Sequence, residues 1–147
     1  MVDLKSKLAR LFTGSHAGVY RLTDGRVGAD MGGAHVLLLT TRGRRSGKPR
    51  TTPLMRVEHR GKLHVVASAA GADSHPAWFT NLSIEPRVGV HDGADRYVAR
   101  AVVLDCPDRD AAFAAAIATM EGFAEYQRKT GRTIPVVRLD PIADTDR

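Results

Sequence analysis

The chain holds a single cysteine, Cys106, among its 147 residues. No intrachain disulfide can form, so a small secreted scaffold stapled by cystines is excluded and a reducing, cytoplasmic setting is expected. Aromatic residues make up only 5% of the chain, with one tryptophan, Trp78. A surface that stacks successive bases is therefore not expected. Long apolar runs are missing as well. The longest, Ala111 to Ala118, is far too short to span a bilayer. Met1 to Phe12 mixes apolar and basic residues without the continuous apolar stretch of a secretory signal. No internal repeat or low-complexity linker interrupts the chain.

Several chemistries are absent too. The six histidines (His16, His35, His59, His64, His75 and His91) form no metal-ligand spacing, and Cys106 has no cysteine partner. No metal site is expected. There is no Gly-x-Ser-x-Gly nucleophile elbow, and no glycine-rich dinucleotide fingerprint follows a strand. His59 and His64 flank a turn and can face each other across it, although solvated strand ends are the plainer account.

What is present is the length and composition of one globular domain, 43% hydrophobic and 26% charged. Leu4 to Phe12 is expected as a short amphipathic helix, packed on the domain or touching a membrane surface. His35 to Thr41, Thr51 to His59 and Lys62 to Ser68 read as three antiparallel strands. Arg60-Gly61 is the turn between the last two, and Pro53 marks an edge or an irregular start. Ser74 is a candidate cap for a short helix from Pro76 to about Leu82. Arg87 to His91 and Arg96 to Leu104 read as a hairpin across Asp92-Gly93. A helix from Asp110 to Glu121 follows, with a break at Gly122 and a further turn or two to Lys129. Ile134 to Leu139 reads as the last strand. Strands and long helices do not alternate, so a doubly wound parallel sheet is not expected. The pattern predicts an α+β, mostly antiparallel barrel with peripheral helices.

Net charge is +6, and it is concentrated. Arg42, Arg44, Arg45, Lys48 and Arg50 fall within nine residues that contain no acid. A focus of this kind selects an anionic partner at one place. Gly43 and Gly47 permit tight turns, Ser46, Thr51 and Thr52 add hydroxyls, and arginine forks grip phosphate or carboxylate oxygens. The segment is not a P-loop, because the spacing differs and a strand follows it. With no aromatic residue in the loop, nucleic acid is not the expected partner.

The run LLLTTRGRRSGKPRTTPLM resembles the signature loop of the deazaflavin (F420)-dependent nitroreductase family, small actinobacterial reductases. VVASAAG, HPAWFTNL and AEYQRKTGRTIPVVRLDP follow in that family's order, so the resemblance covers about residues 35 to 141. It implies a single split β-barrel domain, residues 1–147, with 1–30 as an N-terminal helix and extension. It also implies coenzyme F420 as cofactor, with flavin mononucleotide as the less favoured choice. Arg44, Arg45, Ser46 and Arg50 would contact the phosphate and the acidic tail. Thr51, Thr52, Pro53, Leu54 and Met55 would run along the ring edge. Val66, Ala67, Ser68 and Ala69 would line the ring, and Ala77, Trp78, Phe79, Thr80 and Asn81 would pack near the tail or the pocket wall. Ser68 and Tyr126 are the catalytic candidates. The Ser68 hydroxyl would meet a ring carbonyl, or simply end a strand. Tyr126 would stack on substrate or donate a proton, or simply pack.

Three positions depart from the family pattern. Ala69 stands where lysine is usual, Lys129 where some members have tyrosine, and Phe123 where another hydroxyl can occur. The expected activity is hydride transfer from the reduced deazaflavin to a small electron-poor acceptor: a quinone, a nitro compound or an activated enone. The alternatives are a non-catalytic deazaflavin- or lipid-binding protein and a flavin-mononucleotide oxidase of the same fold. A monomer or a homodimer is expected.

Overall fold

The computed structural model describes residues 35–142 and the backbone of Asp30–Met31 and Ala34. The N-terminal helix expected at Leu4 to Phe12 lies outside the described residues. Among the described residues there are eight strands: β1 (Asp30–Met31), β2 (Ala34–Arg42), β3 (Pro49–Met55), β4 (Val57–His59), β5 (Lys62–Val66), β6 (Arg87–Asp92), β7 (Asp95–Val103) and β8 (Val136–Pro141). The same residues form three α-helices: α1 (Ala77–Ile84), α2 (Asp108–Thr119) and α3 (Gly122–Lys129). A short 3₁₀ turn spans Ala69–Gly71.

Every pairing is antiparallel, in the order β1-β2-β6-β7-β8-β5-β4, with β3 on the other side of β2. β3 approaches β5 without forming a ladder with it. The sheet thus curls into a barrel that is split between these two strands.

The stretch expected as one strand from Thr51 to His59 is two. Thr51 to Met55 pairs with β2, whereas Val57 to His59 pairs with β5. Arg56 is the hinge, and its N–H donates to the His35 carbonyl at 2.9 Å. Pro53 sits opposite Leu38 on the outer strand, where a missing N–H costs no ladder bond.

Side-chain alternation splits the core in two. Val65, Val137 and Leu139 enter the barrel interior with Leu37, Leu39, Val88 and Val90. Their sequence neighbours Val66 and Val136 face the other way, onto Phe113, Ala116 and Phe123 of the helices. β2 is buried on both faces, with Val36, Leu37, Leu38 and Leu39 at 3% exposure or less. This explains its unbroken apolar run.

Local details correct the sequence expectations. Arg60 and Gly61 both take positive φ, 54° and 75°, as a two-residue hairpin turn requires. The β6–β7 turn lies one residue later than expected, at Gly93-Ala94, because Asp92 pairs with Asp95. Pro76 rather than Ser74 precedes the first turn of α1, and no side chain caps it. The break between α2 and α3 falls at Met120-Glu121. His64 is not a solvated strand end. It is 2% exposed, and its ring meets that of His59 edge to face at 5.7 Å. Among the described residues, no helix is long and apolar enough to cross a membrane, and no group of acidic, histidine or cysteine side chains could hold a metal.

Candidate active site

The basic segment forms the tip of the β2–β3 hairpin. The Gly43 N–H donates to the Lys48 carbonyl and the Gly47 N–H to the Gly43 carbonyl, both at 2.8 Å. A side chain on Gly43 would meet the Ser46 hydroxyl at 2.9 Å and the Lys48 carbonyl at 3.2 Å, so glycine lets the loop close without displacing either. The Ser46 hydroxyl accepts from the Lys48 N–H at 3.2 Å and from Arg50 Nη2 at 3.4 Å.

This tip is held against α1 by Asn81. Asn81 Oδ1 accepts from the backbone N–H and from Nη1 of Arg44, at 3.3 and 3.0 Å. Asn81 Nδ2 donates to the buried Thr41 hydroxyl at 3.2 Å. Arg44 is thereby aimed rather than left to wave, which cuts the entropy lost when an anion arrives.

Between tip and helix lies a cavity of about 580 Å³. Arg44, Arg45, Ser46, Arg50, Thr51, Thr52, Ala77, Trp78 and Asn81 line it, together with Gly43 and Pro49. Among the described residues, no carboxylate does. Trp78 is 7% exposed in the barrel core and also lines the cavity.

The other candidates lie elsewhere around the barrel. Pro53, Val66 and Ala67 are buried. Leu54 and Phe79 pack on the barrel core, and Met55 and Tyr126 on the helix-side core. Thr80 is half-buried on α1. Ser68 and Ala69 lead into the 3₁₀ turn, where Ala69 and Ala70 take φ of 46° and 54°. The Ser68 hydroxyl makes no hydrogen bond within the described residues, and its carbonyl is engaged. Tyr126 packs edge to face on Phe123 at 6.1 Å, with Lys129 Nζ 6.0 Å from its ring centre. Phe123 is 4% exposed in the helix-side core, so its departure from the family pattern is a packing choice.

One structural residue escaped the sequence reading. Arg132 donates from Nε to the Ala72 carbonyl (2.7 Å), from Nη1 to the Ala67 carbonyl (3.2 Å) and from Nη2 to the Ser68 carbonyl (2.9 Å). Nη1 also lies 3.0 Å from His75 Nδ1. A single guanidinium thus ties down the whole turn after β5, including two alanines in the left-handed region. Its only signal in the sequence was a lone arginine after Gly131, with no acid close by.

The sequence model of the F420H(2)-dependent quinone reductase family matches residues 13–141. The chain belongs to that family. Its members are oxidoreductases that use coenzyme F420, which agrees with the enzyme and cofactor expected from the sequence. An F420H(2)-dependent quinone reductase of Mycobacterium tuberculosis is 35% identical over 128 residues, covering 84% of this chain and 86% of that protein. The solved structure of an F420-H2 dependent reductase (FDR-A) is 40% identical, with a TM-score of 0.67 over 71% of this chain and 93% of that one. A structure described as a domain-swapped dimer is 36% identical, with a TM-score of 0.69 over 86% and 96%. The haem storage protein HutZ of Vibrio cholerae, at 15% identity and a TM-score of 0.56 over 74% of this chain and 82% of that one, shares the fold alone. The solved structures of F420-dependent relatives therefore confirm the split barrel.

Proposed function

We propose that this F420-dependent reductase holds the acidic tail of its cofactor in the hairpin cavity and reduces a quinone beside the turn that follows β5. The supporting observation is the cavity's charge. Arg44, Arg45 and Arg50 line it, and among the described residues no carboxylate opposes them. A phosphate and a run of carboxylates match that lining in charge and in hydrogen-bonding geometry. A neutral ligand would leave three guanidinium groups uncompensated.

When bound, reduced F420 supplies the hydride. The chain's own work is positioning and exclusion of water. Arg44, fixed by Asn81, and Arg50, resting on Ser46, grip the tail. Ser68 and Ala69, where the chain leaves β5, stand beside the ring. Ser68 offers its unbonded hydroxyl to a ring carbonyl, and Tyr126 contacts the acceptor and gives it a proton. Quinones are the acceptor class that the family's description supports, ahead of nitro compounds and enones.

The test is a fluorescence titration with F420 for the wild type, Arg44→Ala and Arg50→Ala at two salt concentrations. Each charge-assisted contact contributes about 1.5–3 kcal/mol, so each change should weaken binding by about tenfold or more, with a shallower salt dependence. Unchanged affinity in both variants would remove the tail from this cavity. Turnover of menadione by the reduced cofactor checks the acceptor class.

A further inference from the structure

A second cavity, of about 200 Å³, opens where the β4–β5 hairpin meets β8 and the start of α2. Its walls carry His59, Arg60, Lys62, His64 and Arg138, against a single acid, Asp108. Nothing in the hydride-transfer reading uses these residues. The geometry points to a binding site here for a small phosphate-type oxyanion, separate from the cofactor cavity.

Three donors are unspent. Arg60 sits on the turn with no partner within the described residues, its backbone bent into the cavity rim at φ 54°. Arg138 commits Nε and Nη2 to Asp140, at 2.8 and 3.0 Å, which leaves Nη1 uncommitted. His59 Nε2 is buried without a hydrogen-bond partner among the described residues. A buried polar atom in that state costs free energy until something pairs with it. Lys62 adds a third cation, although it shares Asp140 at 3.4 Å.

The balance of charge supports an anion over a metal or a neutral molecule. Arg60, Lys62 and Arg138 are permanent cations. Asp108 and Asp140 answer two of them, and Glu58 is turned to Arg56 at 3.7 Å. An incoming oxyanion takes up the remaining charge and gives His59 an acceptor. It also favours protonation of the His64 imidazole, so binding should tighten as pH falls. His64 contributes from the buried side. Its Nδ1 is tied to the Lys62 carbonyl at 3.1 Å, and its charged form is held back by burial and by neighbouring His59 and Arg138.

The probe is inorganic sulfate, whose charge is constant between pH 5.5 and 7.5, followed by calorimetry and by the ring-proton NMR signals of His59 and His64. Glycerol phosphate is run in parallel to separate a free ion from a phosphate ester. The site predicts saturable binding that shifts both imidazole signals and is tighter at pH 5.5. In Arg60→Gly it should weaken by about tenfold, the equivalent of one charge-assisted contact. Glycine suits the positive φ at this turn, so the variant should fold and reduce menadione as the wild type does. Arg44→Ala should leave this binding intact. A stronger response to the ester assigns the site to a small phosphorylated molecule, and an equal response assigns it to the free ion. Imidazole signals that stay still, or equal affinity in Arg60→Gly, would overturn the proposal.

Discussion

Asn81 Oδ1 and the Arg44 guanidinium lie 3.0 Å apart across a separation of 37 positions, and the same oxygen accepts the Arg44 backbone N–H. One neutral side chain on α1 thus sets both the fold of the hairpin tip and the aim of its first cavity-lining arginine.

Asn81→Ala removes this acceptor and strands the buried Thr41 hydroxyl. The expected loss is about 1–2 kcal/mol of stability, read by urea unfolding, with F420 affinity weakened by about tenfold. Asn81→Asp should preserve more of the fold, yet weaken the tail's grip by neutralising Arg44. Equal F420 affinity in all three proteins would show that Arg44 needs no orienting partner.

Arg132→Ala should cost about 3 kcal/mol, since three carbonyls lose a charged donor. Arg132→Lys should recover only part of this, because one ammonium cannot span the same three acceptors. Thermal unfolding measures the loss, and limited proteolysis should then cut between Ser68 and His75.

Glycine positions offer a direct contrast. At Gly71, φ is +84° and a Cβ would come within 2.9 Å of the Tyr126 carbonyl and 3.0 Å of Lys129 Cβ. Gly71→Ala should therefore cost about 3 kcal/mol, combining backbone strain and overlap. Gly61, at φ +75° with nothing within 4 Å, should lose only about 1 kcal/mol on the same change. Chemical denaturation of the two variants side by side decides it. Similar losses would mean that the turn after β5 can yield.

His64 links stability to pH. Burial is the main cause that lowers its pKa below the usual 6.5, reinforced by His59 and Arg138. As pH drops through 6.5, the unfolded chain takes up a proton that the folded chain still refuses. Stability is therefore full above that value and declines below it. Urea midpoints from pH 7.5 to 5 should fall in the wild type and fall less in His64→Leu. An identical slope in both would assign the pH dependence to other groups.

Much of the scaffold was legible because it is local. The runs from His35 to Thr41, Lys62 to Val66 and Arg87 to His91 announce strands by composition, and Arg60-Gly61 announces its turn. The candidate site was legible for the same reason, since its five cations sit in one acid-free segment. The strand change at Arg56 was not, because nothing in TTPLMRVEH tells which half pairs with β2 and which with β5. Nor was the burial of His64, which depends on α2 covering that face of β5.

By itself, the order of residues determined the elements, the basic hairpin tip and membership in a reductase family, because propensity, charge density and motif order are properties of neighbouring positions. Only the folded chain decided that Asn81 would lock Arg44, that Arg132 would clamp the turn after β5, and that His59, Arg60 and Arg138 would face one small cavity. Those meetings join groups separated by tens of residues. They follow from the way the sheet curls and the helices pack, which no short stretch of sequence encodes.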